Sequence, residues 1–367
     1  MRSKLIVSLL ILGIAASILG IMFVVGCGTV SSSSNGGGVV DYGDRVYVAD
    51  YQNSKVLILN PYFLTLEGSI ELPGYSSPKH VLAHPGGKRI FVSSNDVTSE
   101  VYVINTETNT VCAIIDSNCS TPQAMVFNAT ATKLFVACPG HSDVAIIDID
   151  TSTDTYSFDQ PINSTVSGPY VAGMAYNPSN NKLYIPNTAN NRFLMVTAES
   201  GSSIDEIGIY MAYDVVYHPS TESVYLSAGG SSSTLNWVVS LEASTLTIVA
   251  SWEPGSYPDE DSGFRNIAIS PVTGSVYAGN HDWSIVDLVN PVTGASEPIN
   301  VNDGASDYMH LLNGIAFSPD SANGYVIHDE SGGADKVIIF NAATRARLGA
   351  ITLPASGYYG IACVKKQ

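Results

Sequence analysis

Charged side chains are scarce in this 367-residue chain. Asp, Glu, Lys and Arg make up 13% of it, with 16 basic residues against 33 acidic ones and a net charge of −17. So few cations exclude nucleic acid as a partner, because that binding rests on neutralising phosphates. Adhesion to anionic lipid is disfavoured on the same ground. There are five cysteines, without a CxxC pair or a CxxCH run, so sequence-typical zinc and c-type haem sites are absent. No stretch carries the period of a long amphipathic helix, and no nucleophile elbow, phosphate loop or HExxH occurs. What is abundant is apolar residues (45%), glycine (32) and tyrosine (20), the make-up of a large β body.

That body repeats. An aromatic residue opens a short β-branched run at Tyr47, Phe91, Phe135, Tyr184, Tyr225, Tyr277 and Tyr325, at steps of 41 to 52 residues. The last full copy, Gly314 to Pro354, contains four such runs separated by turn residues, which reads as a four-stranded antiparallel meander. Such a sheet cannot bury both faces alone, so copies must stack face to face. Seven markers with four strands each predict an all-β seven-bladed propeller. A first-strand run precedes every marker except Tyr47, while a spare one, Gly360 to Val364, ends the chain. The C-terminal strand is therefore expected to complete the N-terminal blade, which removes the exposed edges of an open array.

Val46-Tyr47-Val48-Ala49-Asp50, Leu183-Tyr184-Ile185-Pro186-Asn187 and Val103-Ile104-Asn105-Thr106-Glu107-Thr108 resemble the YVTN-type propeller repeat of surface-layer and exported proteins. The resemblance runs from about Asp44 to Lys366. The literal tetrapeptide is absent, and a WD-type repeat fits worse because no Trp-Asp pair ends a third strand. The resemblance implies architecture and says almost nothing about chemistry.

The first residues read differently. Arg2 and Lys4 precede an uncharged stretch, Leu5 to Val25, that stops at Gly26-Cys27. A basic start, an apolar run and a small residue before cysteine mark an export signal, residues 1–26, with Cys27 as the lipid-attachment residue. Twenty-one apolar residues can also span a bilayer, so an uncleaved anchor competes with the lipoprotein reading. Residues 27–40 are Ser/Gly-rich and read as a tether, and 41–367 form the propeller. Both readings place a monomer at the cell envelope, membrane-bound only through its N-terminal segment. Cys112 and Cys119 are close enough in sequence for a local disulfide, with Cys138 and Cys363 expected as free thiols.

Up-and-down topology sorts the loops onto two faces. First-to-second and third-to-fourth turns are short and repetitive, several starting with Asn or Asp and carrying Thr three residues on, as in Asn105 and Thr108 or Asn341 and Thr344. There the Asx side chain caps its own turn. The other face carries irregular loops with Tyr257, Tyr308, Tyr358, His281, Asp282, Trp283, His328 and Asp329, candidates for a binding face for a protein or glycan. The first-strand starts form the channel mouth, where His80, Asp214 and Asn266 offer chemistry, with Arg265 one step earlier. No Glu stands there and carboxylates do not cluster, which favours a binding protein over the alternative, a metal-dependent hydrolase or lactonase. No cofactor is required. One cation candidate is the acidic run Asp259-Glu260-Asp261, where Asp259 and Asp261 would supply oxygens to calcium.

Overall fold

The computed structural model describes residues 43–365, apart from 75, 97–98, 142, 164–170, 172, 202–203, 230–236, 253–263, 281–283, 290–295, 302–309, 331–333 and 356. Seven four-stranded antiparallel sheets follow one another round a ring. Blade I combines Asp44–Asp50, Lys55–Asn60 and Thr65–Glu71 with the C-terminal strand Tyr358–Lys365. Asp44 pairs with Lys365 and Tyr47 with Ala362, so the ring closes as the sequence pattern requires. The inner strands of blades II to VII begin at Pro78, Met125, Ala175, Ala212, Phe264 and His310. Among the described residues the helical content is one turn, Thr188–Asn190.

Burial explains the strand patterns. Second strands such as Arg89–Ser94 and Ser223–Ala228 are buried at every position, because a neighbouring blade covers each face. The outermost strand Thr110–Asp116 alternates between exposed and covered positions, because one side meets solvent. Between each pair of adjacent blades lies one apolar cluster, giving seven seams round the ring. The seven marker aromatics are all at most 2% exposed and sit in these seams. Three of the tyrosines also reach a turn of the next blade. Tyr47 donates to Asn109 Oδ1 (2.7 Å), Tyr184 to the Ala243 carbonyl (2.5 Å) and Tyr277 to the Ala342 carbonyl (3.1 Å).

Polar clasps repeat the pattern nearer the axis. Ser93 donates to the Gln123 carbonyl (2.6 Å), the Val171 N–H to Gln123 Oε1 (2.7 Å), and Thr188 to the Ala212 carbonyl (2.8 Å). Asn266 Nδ2 donates to the Leu312 carbonyl (2.6 Å), and the Gly357 N–H to Asp335 Oδ2 (3.0 Å). Each such bond is worth ~1 kcal/mol net, whereas each buried Val or Ile contributes ~1.5–3 kcal/mol. The apolar seams therefore carry the stability, and the clasps fix how the blades align.

The cysteines correct one expectation. The disulfide joins Cys119 to Cys138, with Cα atoms 5.4 Å apart, and Cys112 is an exposed free thiol. Cys112 points outward from the outermost strand of blade II. Cys119 lies in the crossing that leaves that blade, and a crossing runs over the blade it is about to enter, where Cys138 ends a second strand. Cys363 stays outside the disulfide, as expected, whereas Cys138, expected as a free thiol, is part of it.

Candidate functional site

Five blades break their inner strand at the same place. In blade II, Pro78 pairs with Ser94 and His80 with Ser93, which leaves Lys79 as an extra residue. The same one-residue bulge isolates Tyr213 in blade V, Arg265 in blade VI and Asn313 in blade VII. In blade I the register slips between Val48 and Asp50, so that Tyr359 and Gly360 stand opposite Ala49. A bulge re-aims its side chain out of the ladder. Here the five bulges lie toward one end of the channel, and Lys79, Asn313 and Tyr359 line the cavity there.

That end is a cavity of about 70 Å³, lined among others by Lys79, His80, Asp214, Asn266, Asn313 and Tyr359. Lys79 Nζ lies 3.4 Å above the centre of the Tyr359 ring and 5.6 Å from that of Tyr51, and the two rings meet edge-on at 5.3 Å. Arg265 lies over Tyr213, its Cζ 5.4 Å from the ring centre. Burial, reinforced by the Arg265 charge, pulls the Lys79 ammonium down to about 8. Two of the chain's few cations thus share one mouth, each resting on an aromatic face, an arrangement worth ~0.5–2 kcal/mol per pair.

Of the four residues expected at the mouth, His80, Asp214 and Asn266 line the cavity, and Arg265 stands in the bulge beside Asn266. His80 is half-buried at the cavity wall, its Nδ1 is buried without a hydrogen-bond partner, and burial pulls the imidazole down to about 4, so it is neutral at physiological pH. Asp214 Oδ1 accepts from the Val215 N–H (2.8 Å) and Oδ2 from the Ile267 N–H in blade VI (3.0 Å). Burial outweighs these bonds and pushes its carboxyl up to about 7. Asn266 is the clasp to Leu312, and Arg265 is the bulged cation. Close packing holds the ring together: a Cβ on Gly173 would stand 1.5 Å from Asp214 Oδ1, and one on Gly360 2.6 Å from the Val81 nitrogen.

The irregular face is described only in part. Tyr257, Tyr308, His281, Asp282, Trp283, Asp259 and Asp261 lie outside the described residues, as does Cys27. Asp329 is half-buried on the rim. Two expected binding residues are corrected to internal ones. His328 is buried, with Nε2 2.8 Å from Ser284 Oγ of blade VI, and Tyr358 is buried, its hydroxyl accepting from the Ala355 N–H (3.1 Å). Neither presents a side chain to a partner. Among the described residues no group of three His, Cys, Asp or Glu side chains is arranged to hold a metal ion.

Sequence reading missed Lys79, Tyr213, Asn313 and the separate role of Tyr359. A signal existed: each stands one residue before a ring position, as Arg265 stands before Asn266. At the opposite end of the channel a wider cavity, about 470 Å³, is lined by Ala83 to Gly87, Pro319 and Cys363 to Lys365. Its His84 is already engaged, Nδ1 accepting from the Gly86 N–H at 3.0 Å with the ring edge-on to Phe127.

Comparison with known proteins supports the class of molecule that this geometry defines, a seven-bladed β-propeller. A functionally unknown protein from Desulfotomaculum acetoxidans DSM 771 superposes with a TM-score of 0.62 at 13% identity, over 88% of this chain and 99% of its own. The Pseudomonas aeruginosa periplasmic gluconolactonase PpgL gives 0.65 at 12% identity, over 88% of this chain and 99% of its own. The β-propeller domain of Cps50 (Swd1) from Myceliophteria thermophila gives 0.59 at 13%, over 78% and 88%. These likenesses show the fold alone. No family model matches the chain, and no curated protein matches it in sequence. The YVTN-type resemblance therefore rests on its sequence motifs.

Proposed function

We propose that the protein is a non-catalytic binding propeller of the cell envelope, exported and held there through Cys27 or the apolar segment before it. Its irregular face takes a protein or glycan that presents a carboxylate to the channel mouth. The observation behind this reading is the set of five aligned bulges, which place Lys79 and Arg265 beside Asn313, Tyr213 and Tyr359. Bulges disrupt the ladder, so five at one level are a construction directed at that mouth. Paired cations in a partly dry site favour an anion over water, and tyrosine faces suit the flat sides of sugars or peptides.

The rival reading, a lactonase-like hydrolase, takes its support from the fold of the gluconolactonase above. The mouth argues against it. Asp214 is the one carboxylate among the residues lining the cavity, both its oxygens are tied to backbone N–H groups, and two cations beside it repel a metal dication.

Calorimetric titration with uronic-acid oligosaccharides, neutral oligosaccharides of equal length and acidic peptides tests the proposal. An acidic ligand should bind, and Lys79→Ala with Arg265→Ala should weaken it at least ~10-fold, since a hydrogen bond to a charged group is worth ~1.5–3 kcal/mol. Equal binding of the neutral sugars, or an unchanged double variant, would refute it. Lactone turnover lost in Asp214→Ala would favour the rival. Mass spectrometry of the mature N-terminus tests the anchor: an acylated Cys27 supports the lipoprotein form, and an intact residue 1 the signal anchor.

A further inference from the structure

The short-turn face carries one turn that departs from its siblings. Third-to-fourth turns in blades II, III and VII share one backbone plan. The side chains of Asn105, Asp150 and Asn341 each accept the N–H groups two and three residues on, at 2.7–3.3 Å. Asn60 in blade I does the same to Tyr62 (3.0 Å) and Phe63 (3.2 Å). The residue that follows has positive φ in all four: Leu64 (55°), Asn109 (54°), Asp154 (52°) and Arg345 (63°). The backbone is the same, and only the side chains differ.

Where the siblings place Thr108, Thr153 and Thr344, blade I has Phe63; where they place Asn109, Asp154 and Arg345, it has Leu64. Phe63 is 47% exposed, Leu64 42% and Leu66 40%. A bulky aliphatic residue with positive φ is uncommon, and here it is also left in solvent. Tyr62 packs edge-on against Phe63 at 4.8 Å, and Leu64 leans on Gly349 of blade VII, where a Cβ would come within 2.7 Å of Leu64 Cδ1. Neighbours support the cluster from beneath and leave its outer side uncovered.

The place where the described chain begins indicates what covers it. The first strand starts at Asp44 and pairs with Lys55–Asn60, Val46 opposite Leu59, so the chain enters blade I beside this turn. Seventeen residues separate Gly43 from Val25, the end of the uncharged apolar stretch. They can hold this corner no farther than ~60 Å from that stretch. If Leu5–Val25 or an acylated Cys27 sits in a bilayer, the Phe63 turn lies beside the point where the tether joins the propeller. The tether then raises the local concentration of lipid at the turn.

Resting on the envelope anchoring proposed above, we infer that Phe63, Leu64 and Leu66 insert into the outer lipid of that membrane, with Tyr62 at the headgroup level. Aliphatic and phenyl groups gain by leaving water, and tyrosine favours the interface. A chain as acidic as this one gains nothing from anionic headgroups, so the contact is apolar and salt-insensitive. The short-turn face then lies toward the membrane, and the channel mouth, at the other end of every inner strand, points away from it.

The test uses the full chain reconstituted in phosphatidylcholine vesicles, with and without bromine-labelled acyl chains. Phe63→Trp places a reporter in the turn and Thr108→Trp places one in the equivalent turn of blade II, with the emission of the parent's three tryptophans subtracted. Both sites are turn positions, and melting temperatures confirm that the variants fold. Expected is a blue-shifted position-63 reporter that brominated lipid quenches at low and high salt, with the position-108 reporter unquenched. Equal quenching of the two reporters, or none, in protein that floats with the vesicles overturns the insertion and leaves the anchoring intact. Protein that does not float overturns both. A blue shift without quenching that grows with protein concentration would assign the turn to a second copy of the chain and overturn the proposal.

Discussion

The two ends of the channel are built from the same seven inner strands and are opposites in how they treat polar groups. At the short-turn end, Asn60, Asn105, Asp150 and Asn341 satisfy their own turns, and little is left over for a visitor. At the mouth, bulges eject side chains from the ladder, His80 keeps an unpartnered nitrogen, and Lys79 and Arg265 repel each other. Internally satisfied turns make a structural face, and mutually frustrated groups make a receptive one. Frustration of this kind is tolerated where the surrounding scaffold over-determines the geometry, which here is the work of the seven apolar seams.

Removing what the two ends share should have the largest effect. Deleting residues 360–367 takes most of the inner strand from blade I and opens the ring. The cooperative thermal transition should disappear, and a truncated chain that melts like the parent would mean that closure is dispensable.

At the mouth the expected effect is electrostatic. His80 is held below its usual range by burial, so the stability it contributes is present above about 6.5 and is lost as pH falls toward 4. Asp214, and away from the cavity the buried, unpartnered Asp287 in strand Ile285–Val289, are both pushed up to about 7. Their stability is present below about 3.8 and is lost as pH rises through 7, so the two kinds of group oppose each other between pH 4 and 6.5. His80→Gln should unmask the acids: relative to the parent, its stability falls with rising pH by up to ~1.4 kcal/mol per unit. Urea unfolding at several pH values in that window measures it, and a flat difference would mean that the imidazole is solvated.

The short-turn end should respond to a change in one cap. Asn105→Ala removes the acceptor for the Glu107 and Thr108 N–H groups and should cost ~1 kcal/mol, read as a lower melting temperature with ligand affinity at the mouth unchanged. The smallest effect on stability belongs to Lys79→Met. Removing a crowded cation should leave the melting temperature unchanged or slightly higher, while binding of an acidic ligand weakens. A clear fall in melting temperature would make Lys79 a structural residue.

Much of this architecture was legible in the residues because burial imposes it. The seven marker aromatics had to be apolar to fill their seams, and strand alternation has a fixed period of two. The spare strand at Gly360 announced the closure. What was not legible came from events that change the period or depend on the third dimension. A bulge adds one residue to one strand, so taking the first-strand starts as the ring passed over Lys79 beside His80 and Tyr359 beside Gly360, while Tyr358, assigned to the irregular face, is buried. The disulfide partner of Cys119 depends on which blade its crossing overlies, and sequence distance pointed to Cys112 instead of Cys138.

The pairing of Asp44–Asp50 with Tyr358–Lys365 also sets an order of events in biogenesis. The first strand of the propeller to leave the ribosome waits for nearly the last residues of the chain before its inner edge is covered. Until then blade I is a three-stranded sheet with an open edge, a template for pairing with any other unfinished chain. The contact that completes the ring spans 321 residues, from Asp44 to Lys365, and contacts so distant in sequence form late and slowly. A chain of this design must therefore keep its N-terminal blade from pairing with strangers until its C-terminal strand is in place. The late arrival of that strand, more than any single blade, is the step at which its folding is exposed to failure.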